Sequence, residues 1–340
     1  MPEKIAFTPD LIDTHCFIDV RTPLEYEEDH IPGARNVPLL SNDERAEIGT
    51  IYKQVGPIEA RRRGLELTCP RFYGMVDEIV ACAAGRPIIV YCWRGGMRSR
   101  SVAMLVETCG TQARQLTGGY KRFRTGVIDY FERCAFPEPL IVVHGMTGTG
   151  KTTFINGLDR ARWATVDLEG IARHRGSAFG ALGLSQDVSQ KRFETLLWDA
   201  FRRLPSGLPI VVEGESQRIG RYYLPGNLYL KMAESCRVWC SASLETRIRR
   251  LSVEYALPAY QPMMLEALDR IRKKLGGTRH AELKRLIEAW DVEGIARGLI
   301  EDYYDRMYYR NRDWTAELEL ELEDFAAAEA ELGRFWAARR

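Results

Sequence analysis

Short apolar runs rich in β-branched residues alternate with amphipathic stretches along most of this chain. The runs lie at residues 17–20, 87–92, 139–145, 209–215 and 236–242. Strands that are buried on both faces of a parallel sheet read as near-continuous apolar runs, and the connections between such strands are usually helices. The pattern therefore predicts an α/β fold built on parallel sheets.

A proline-containing break divides this pattern into two parts. Residues 134–139 read CAFPEP and lie between a helical pattern at 118–134 and a new buried strand. A length of 340 residues also indicates about two domains. We predict an α/β domain over residues 1–136 and a second parallel-sheet domain over residues 137–340.

The second domain is predicted to end in a helical extension from about residue 258. Amphipathic periodicity predicts long helices at 263–275 and 280–310. The segment 317–325 reads ELELELEDF, and this strict alternation predicts a strand.

The composition excludes several classes of protein. With 45% apolar and 28% charged residues, the chain is not disordered, collagen-like or a coiled coil. The formal net charge of +1 means that nucleic acid must be bound by local basic clusters. The N-terminus lacks the apolar core of a secretory signal, and no run reaches the ~20 apolar residues of a membrane span, so we expect a cytoplasmic protein without membrane association. The eight cysteines are too scattered for a disulfide scaffold, and no structural zinc, haem or flavin is expected.

A cysteine follows one predicted strand and begins a loop rich in glycine and arginine. Cys92 comes directly after PIIVY, and Arg94 and Arg98 follow it before a predicted helix. Backbone N–H groups, the helix dipole and two guanidinium groups favour a thiolate or an anionic adduct there. We predict that Cys92 is a nucleophile and that Arg94 and Arg98 assist it by binding an anion. The spacing from Cys92 to Arg98 fits sulfur transfer and phosphoester chemistry almost equally, so the loop does not select the reaction.

The second domain begins with a phosphate-binding signature. Residues 145–153 read GMTGTGKTT and satisfy G-x-x-x-x-G-K-[ST] between a buried strand and a helix. In such a loop backbone N–H groups surround a phosphate, the lysine reaches its outer oxygens, and the hydroxyl after it binds Mg²⁺. The predicted phosphate-binding residues are Gly145, Thr147, Gly148, Thr149, Gly150, Lys151, Thr152 and Thr153. Lys151 is a predicted catalytic residue, and Thr152 is the predicted Mg²⁺ ligand.

A phosphate loop usually acts together with an acidic residue at the end of a neighbouring strand. Glu213, which ends the run PIVVE, is the first candidate and is predicted to be catalytic; Asp167 is the second. A helix N-cap or a solvated carboxylate at a strand end would explain either residue as well.

The segment 167–180 combines glycines, arginines and a histidine, as expected of a loop that binds phosphate or an RNA backbone. Arg247 and Arg250 follow a predicted strand in a layout similar to the lid arginines of small-molecule kinases, although a solvated helix face would also account for them. The predicted substrate- or RNA-binding residues are Asp167, Arg173, His174, Arg175, Ser177, Arg218, Arg247 and Arg250.

The first domain resembles the rhodanese family over roughly residues 5–133. The resemblance is carried by DVRTPLEY at 19–26, HIPGARNVP at 30–38, the Cys92 loop and LTGGY at 116–120. It implies a domain that carries sulfur as a cysteine persulfide or, as in relatives with a longer loop, hydrolyses phosphate or arsenate esters.

The two domains together resemble the tRNA 2-selenouridine synthase family over essentially the full length. Besides the two loops, the resemblance is carried by residues 42–45, 49–54, 118–121, 167–180, 213–216, 219–220 and 301–305. It implies a transferase that acts on the wobble 2-thiouridine of tRNAs for Lys, Glu and Gln. Such an enzyme attaches a geranyl group from geranyl diphosphate to the 2-sulfur and then replaces the S-geranyl group with selenium from selenophosphate.

The resemblance also gives the predicted residues their roles. Lys151 and Mg²⁺ would stabilise the diphosphate leaving group. Met146, Phe154 or Phe179, or the tryptophan and tyrosine side chains, would hold the apolar chain. Cys92 corresponds to the essential cysteine of the family and would serve the selenium step, with a selenophosphate-supplying enzyme as an expected partner. Basic clusters at residues 53, 61–63, 121–124 and 237–280 would bind tRNA phosphates.

Two other functions stay open on the sequence. One is a P-loop small-molecule kinase with an accessory sulfurtransferase module, which would turn over ATP with a small acceptor and ignore tRNA. The other is an RNA-binding regulator whose P-loop is a conformational switch, which would show no turnover with tRNA and geranyl diphosphate.

Overall fold

The computed structural model describes residues 1–134, 136–307 and 314–339, and it divides into two compact units. The first unit comprises Met1–Arg133 and Val188–Arg202, and the second comprises Cys134–Asp187 and Arg203–Arg340.

A five-stranded sheet, in which all neighbouring strands run parallel, forms the centre of the first unit. The strand order is β1-β5-β4-β2-β3. The strands are β1 (Lys4–Ile5), β2 (Cys16–Asp19), β3 (Arg35–Asn36), β4 (Ile88–Tyr91) and β5 (Ala113–Leu116). Because Asp19 pairs with Tyr91 in this register, the residues that follow β2 and β4 meet at one edge of the sheet.

Helices pack against this sheet and close its apolar core. They are α1 (Leu11–Thr14), α2 (Pro23–Glu28), α3 (Asn42–Gln54), α4 (Pro57–Thr68), α5 (Phe72–Ala83), α6 (Met97–Thr108) and α7 (Gly119–Glu132), with a 3₁₀ turn at Cys69–Arg71. The core includes the fully buried Ile79, Val90 and Val102. Both α2 and α3 begin with a capping box, in which Thr22 pairs with Glu25 and Ser41 pairs with Glu44.

The second unit is built on another five-stranded parallel sheet, with the order β12-β11-β6-β8-β7. Its strands are β6 (Leu140–Gly145), β7 (Ala164–Val166), β8 (Ile210–Glu213), β11 (Cys236–Ser241) and β12 (Leu318–Glu321). A short antiparallel pair, β9 (Arg218–Ile219) and β10 (Tyr222–Tyr223), follows β8 in the chain. In the predicted terminal strand Leu320 is buried and its glutamate neighbours are exposed, as alternation requires. The predicted α/β fold with parallel sheets is confirmed.

The helices of the second unit fall into those that cover the sheet and those of the C-terminal extension. They are α8 (Lys151–Gly157), α9 (Leu168–Ala172), α11 (Gly226–Ala233), α12 (Leu244–Glu254), α13 (Gln261–Leu275), α14 (Gly277–Glu288), α15 (Val292–Leu299) and α16 (Phe325–Arg339), with a 3₁₀ turn at Pro258–Tyr260 and a π-helical turn at Ile300–Tyr304. The extension has its own apolar cluster, which includes Leu268, Ile287 and Ile295.

The prediction of a single helix over residues 280–310 is wrong, because the structure divides this segment into separate helices. Trp290 adopts a left-handed conformation with φ of 56° and ends α14. The Asp291 side chain then accepts a hydrogen bond from the N–H of Gly294 and begins α15. Local capping therefore overrides the amphipathic period. Residues 308–310 of this prediction lie outside the described residues.

Helix α10 (Gln190–Arg202) packs on the first unit, although sequence reasoning assigned it to the second domain. Trp198 packs against Phe123 with ring centroids 5.4 Å apart, and Thr195 donates a hydrogen bond to the buried Asp29. Glu194 forms an ion pair with Arg124. Among the described residues no helix is long and apolar enough to cross a membrane.

Candidate active sites

The first candidate site surrounds Cys92, at the C-terminal end of β4. Its side chain is buried, with 3% of the residue exposed. The N–H of Gly96 donates a hydrogen bond of 3.3 Å to its sulfur, and the Ser99 hydroxyl lies 3.2 Å from the same atom. The sulfur therefore accepts one backbone hydrogen bond and lies beside one hydroxyl group.

The Cys92 loop is held tightly against the start of α7. Gly119 has φ of 56°, and a Cβ atom there would lie 2.2 Å from the carbonyl oxygen of Cys92. The N–H of Tyr120 donates to that carbonyl at 2.9 Å. The buried Gln115 side chain donates to the Gly95 and Gly96 carbonyls at 2.9 Å each. These hydrogen bonds pair the carbonyl groups of Cys92, Gly95 and Gly96 with donors of the protein. Helix α6 begins directly after Gly96.

The two predicted anion-binding arginines of this loop differ in placement. Arg98 donates to both carboxylate oxygens of Glu25, at 2.7 and 3.2 Å. Burial by itself would raise the pKa of Glu25, but the ion pair with Arg98 lowers it. Arg94 is exposed. Part of the positive charge expected at the loop is therefore balanced by Glu25.

The second candidate site is a cavity of about 880 Å³ that lies within the second unit. All of the predicted phosphate-binding residues except Thr149 line it. Lys151 Nζ donates to the carbonyl of Gly145 at 3.0 Å. A Cβ atom on Gly145 would lie 2.4 Å from the carbonyl of Cys240, so only glycine allows the loop to leave β6 so close to β11. The structure therefore brings seven of the eight predicted phosphate-binding residues to one cavity.

Carboxylates converge on the end of the phosphate loop. Thr152 donates a hydrogen bond of 2.8 Å to Glu169. Glu213 is fully buried; one of its oxygens accepts a bond of 2.8 Å from the N–H of Leu168, and the other has no hydrogen-bond partner. Burial and the nearby Asp167 charge raise the pKa of Glu213 well above its usual value. A buried carboxyl oxygen without a partner costs free energy, which a functional ligand could recover.

Two members of this carboxylate group were not singled out as site residues from the sequence. Glu169 and Glu215 both line the cavity. The surrounding protein and the Glu169 carboxylate raise the pKa of Glu215, while the Lys151 charge opposes this. Both lie within segments that carried the family resemblance, but only the fold brings residues 169 and 215 together.

Asp167 is a helix N-cap, which was the alternative explanation offered from the sequence. One of its oxygens accepts from the N–H of Gly170 at 2.6 Å and caps α9, and the other accepts from Asn156 at 2.8 Å. It also lines the cavity. Among the described residues no group of three or more His, Cys, Asp or Glu side chains is arranged to hold a metal ion.

The arginine-rich segment 167–180 contributes only part of its polar side chains to the cavity. Arg173, Arg175 and Ser177 line it. Arg175 also forms an ion pair with Glu254, and its guanidinium lies 5.4 Å from the centre of the Tyr255 ring. The cavity lining does not include His174; burial lowers the pKa of this histidine, and its Nδ1 is buried without a partner.

The remaining predicted arginines bind the protein itself. Arg247 is buried, donates to the carbonyl of Thr147 at 2.9 Å and forms a bidentate ion pair with Asp305 at 2.6 and 2.9 Å. Arg250 donates to the carbonyls of Thr149 and Leu322. These two side chains support the phosphate loop from behind, because their donors are directed at its backbone.

Arg218 lies in the short β9–β10 pair. Its Nε donates to the carbonyl of Gly220 at 2.9 Å, and its guanidinium stacks on Tyr223. It is exposed and does not line the cavity.

Aromatic side chains form much of the rest of the cavity wall. They are Tyr229, Trp239, Tyr255, Tyr303, Tyr304 and Trp314. Of the three residues named from the sequence as an apolar wall, Phe154 belongs to the core beneath the sheet, and Met146 contacts Arg247. Phe179 lines a smaller neighbouring cavity. The site therefore combines a phosphate-binding loop with an apolar and aromatic wall.

Comparison with family models matches both units. A model described as the tRNA 2-selenouridine synthase AAA domain matches residues 138–324, and a rhodanese-like domain model matches residues 8–125. The chain belongs to the tRNA 2-selenouridine synthase family. The resemblance noted in the sequence is thereby confirmed, and so is the order of a rhodanese-like domain followed by a P-loop domain.

Curated relatives of the same family match over nearly the whole chain. A tRNA 2-selenouridine synthase of Pseudomonas syringae is 32% identical, with 88% of this chain and 89% of the relative covered. One from Alcanivorax borkumensis is 35% identical over 86% of this chain and 88% of its own length. One from Cupriavidus necator is 31% identical and covers 92% of both chains. Both candidate sites lie inside the residues that the two family models match.

Proposed function

We propose that this protein is a tRNA 2-selenouridine synthase that works in two steps on wobble 5-substituted 2-thiouridine. In the first step it transfers a geranyl group from geranyl diphosphate to the 2-sulfur, and in the second it replaces the S-geranyl group with selenium from selenophosphate. The observation that supports this most is the cavity of about 880 Å³, in which a phosphate loop faces an aromatic wall. An anionic head with an apolar tail suits both surfaces.

In the proposed first step the phosphate loop holds the diphosphate. Lys151 and the backbone N–H groups of residues 148–152 stabilise the negative charge that develops as the C–O bond breaks and the S–C bond forms. The base also loses the proton of its N3 atom, so that the product is a neutral S-geranyl nucleoside. Diphosphate is the leaving group, and ATP is not needed.

We infer that a Mg²⁺ ion would be held at the end of this loop by Thr152 and Glu169, whose side chains line the cavity and offer oxygen donors. When bound, the ion would supply Lewis-acid stabilisation of the leaving diphosphate. Among the chain's own groups, Lys151 binds the anion and Glu213 fixes the backbone of Leu168.

In the proposed second step the Cys92 loop acts. The Gly96 N–H donates to the Cys92 sulfur, the Ser99 hydroxyl lies beside that sulfur, and Arg94 attracts the selenophosphate anion. The selenium of selenophosphate adds to C2 of the S-geranyl base, and the C2–S bond breaks so that geranyl thiol leaves after taking up a proton. Water then cleaves the Se–P bond and phosphate is released. Cys92 assists the removal of the geranyl thiol.

The proposed macromolecular substrate is tRNA for Lys, Glu and Gln, and the site of action is the cytoplasm. Exposed basic residues of the first unit, Lys53, Arg61 and Arg62, lie on the α3–α4 pair. Such clusters bind tRNA phosphates despite the net charge of +1. A selenophosphate-supplying enzyme is the expected partner.

The test is nucleoside mass spectrometry of thiolated tRNA incubated with the protein, geranyl diphosphate and then selenophosphate. The wild type should form first the S-geranyl and then the 2-selenouridine nucleoside. Lys151→Ala should abolish geranylation, whereas Cys92→Ser should spare geranylation and block selenation. Tight ATP binding that geranyl diphosphate does not displace, with turnover independent of tRNA, would favour a kinase and refute the proposal.

A further inference from the structure

A second, smaller cavity adjoins the phosphate-loop cavity. Its volume is about 30 Å³. The two cavities share five lining residues, which are Thr147, Ser177, Leu251, Tyr255 and Tyr304. Thr147 belongs to the phosphate loop itself, so the smaller cavity begins beside the loop that binds the diphosphate in the proposed function.

The part of this cavity that is not shared is entirely apolar. We call it the apolar slot, and define it by Phe179, Met264, Val292, Ile295, Ala296 and Leu299. These side chains come from the segment after Ser177 and from α13 and α15. Phe179, Met264, Ile295 and Leu299 belong to the core of the helical extension, and Ala296 belongs to an adjoining apolar cluster. Phe179 and Met264 are 3% exposed and Ile295 is 2% exposed. The slot is therefore a gap in a packed core that reaches the edge of the phosphate-binding site.

We propose that the apolar slot receives the terminal isoprene unit of the prenyl diphosphate and thereby sets the length of chain that is transferred. This inference rests on the proposed prenyl transfer. A nucleobase or a sugar placed in the slot would lose its hydrogen bonds to water without finding polar side chains there. A hydrocarbon gains about fourfold in affinity for each methylene that is buried.

The size of the slot supports a limit of about one isoprene unit. A volume of about 30 Å³ gives room for the centres of roughly two to three water molecules, so the slot holds the end of one isoprene unit and no more. The unit nearer the diphosphate would lie at the shared wall, against Leu251 and Tyr255. A third isoprene unit would have to displace the packed side chains of α13 or α15.

The first test enlarges the slot with Met264→Ala and measures tRNA prenylation with dimethylallyl, geranyl and farnesyl diphosphates. One methylene more or less in an apolar pocket changes kcat/KM by about tenfold or more. We expect Met264→Ala to raise the farnesyl-to-geranyl ratio of kcat/KM by about tenfold. The matched control is Leu265→Ala on the same helix, which lines neither cavity and should leave the ratio unchanged.

The second test fills the slot with Ala296→Leu. Geranyl transfer should fall while dimethylallyl transfer is retained, so that the dimethylallyl-to-geranyl ratio rises by about tenfold. Thermal unfolding shows whether each variant is folded. If Ala296→Leu does not fold, Met264→Ala alone tests the slot assignment. Unchanged ratios in a folded Met264→Ala variant that still geranylates tRNA would overturn the slot assignment alone. Absence of prenyl transfer from all three diphosphates by the wild type would instead overturn the proposed function.

Discussion

The hydroxyl of Thr195 donates a 2.7 Å hydrogen bond to the carboxylate of Asp29, which is 1% exposed. Tyr120 donates to the same oxygen at 2.8 Å. Burial raises the pKa of Asp29, and these two bonds partly offset that effect. This contact fastens α10 to the first unit, although most of its sequence neighbours in the chain belong to the second.

Replacing Thr195 with valine should destabilise the first unit by about 1.5–3 kcal/mol, because a buried carboxylate loses a hydrogen bond while the volume of the side chain is kept. Urea denaturation followed by tryptophan fluorescence measures the change. Thr50→Val is the control, since Thr50 is exposed and bonds only to its own helix. Equal effects of the two substitutions would mean that the Asp29 contact contributes nothing.

Ser99→Ala should slow selenation while leaving geranylation unchanged. The substitution removes the hydroxyl that lies 3.2 Å from the Cys92 sulfur and also bonds to the Gly96 carbonyl and the Gln115 side chain. Loss of a hydrogen bond is worth about 0.5–1.5 kcal/mol, or roughly 2–10-fold in rate. The readout is the rate of selenonucleoside formation from tRNA that has already been geranylated. Ser101→Ala on the same helix serves as the control, because the Ser101 hydroxyl bonds only to the Met97 carbonyl. A normal rate in Ser99→Ala would remove this hydroxyl from the mechanism.

Arg247→Lys should weaken the binding of geranyl diphosphate by about tenfold. A lysine cannot make the bidentate pair with Asp305 and the bond to the Thr147 carbonyl at the same time, so the phosphate loop loses its support. Titration calorimetry with geranyl diphosphate measures the affinity. The neighbouring Arg249 is exposed, and Arg249→Lys should bind as the wild type does. If both variants bind equally well, the ion pair with Asp305 does not organise the loop.

Glu215 should make the second unit less stable as the pH rises. Its pKa is raised from 4.5 to about 8, first by removal from water and then by Glu169. Between these values the folded state holds a proton that the unfolded state has released, so the free energy of unfolding falls with increasing pH. Glu215→Gln should flatten this slope between pH 5 and 8 in ligand-free protein. Thermal melts across that range test it, with the exposed Glu234→Gln as control.

Binding of tRNA should weaken steeply with salt if exposed basic clusters contact its phosphates. Each lost phosphate contact reduces the slope of log K against log salt by about 0.7–0.9. The double substitution Arg61→Gln and Arg62→Gln should therefore lower the slope by about one to two. The measurement is fluorescence anisotropy with labelled tRNA between low and moderate salt. A flat dependence in the wild type would contradict contacts dominated by phosphate.

Local sequence patterns predicted the strands that form apolar runs and the motifs of both loops. The apolar runs indicated β2, β4, β6, β8 and β11, because a strand buried on both faces has no polar side. The spacing of Gly145, Gly150 and Lys151 predicted the phosphate loop, because each residue type is required by the local geometry. The strands β1, β3, β5 and β7 were not predicted, because they are only two to four residues long and lie outside those runs. The break at Trp290 was missed as well, because it depends on one left-handed residue, which no hydrophobic period reveals.

The sequence by itself determined the fold class, the order of the domains, the family, and the positions of Cys92 and the phosphate loop, since these depend on residues that are close together in the chain. Only the tertiary structure decided which side chains surround the two loops. It placed α10 on the first unit, turned Arg247 and Arg250 toward the loop backbone, and brought Glu169 and Glu215 to the cavity wall. Contacts of this kind join residues far apart in sequence, and packing and burial, which no local pattern records, determine them.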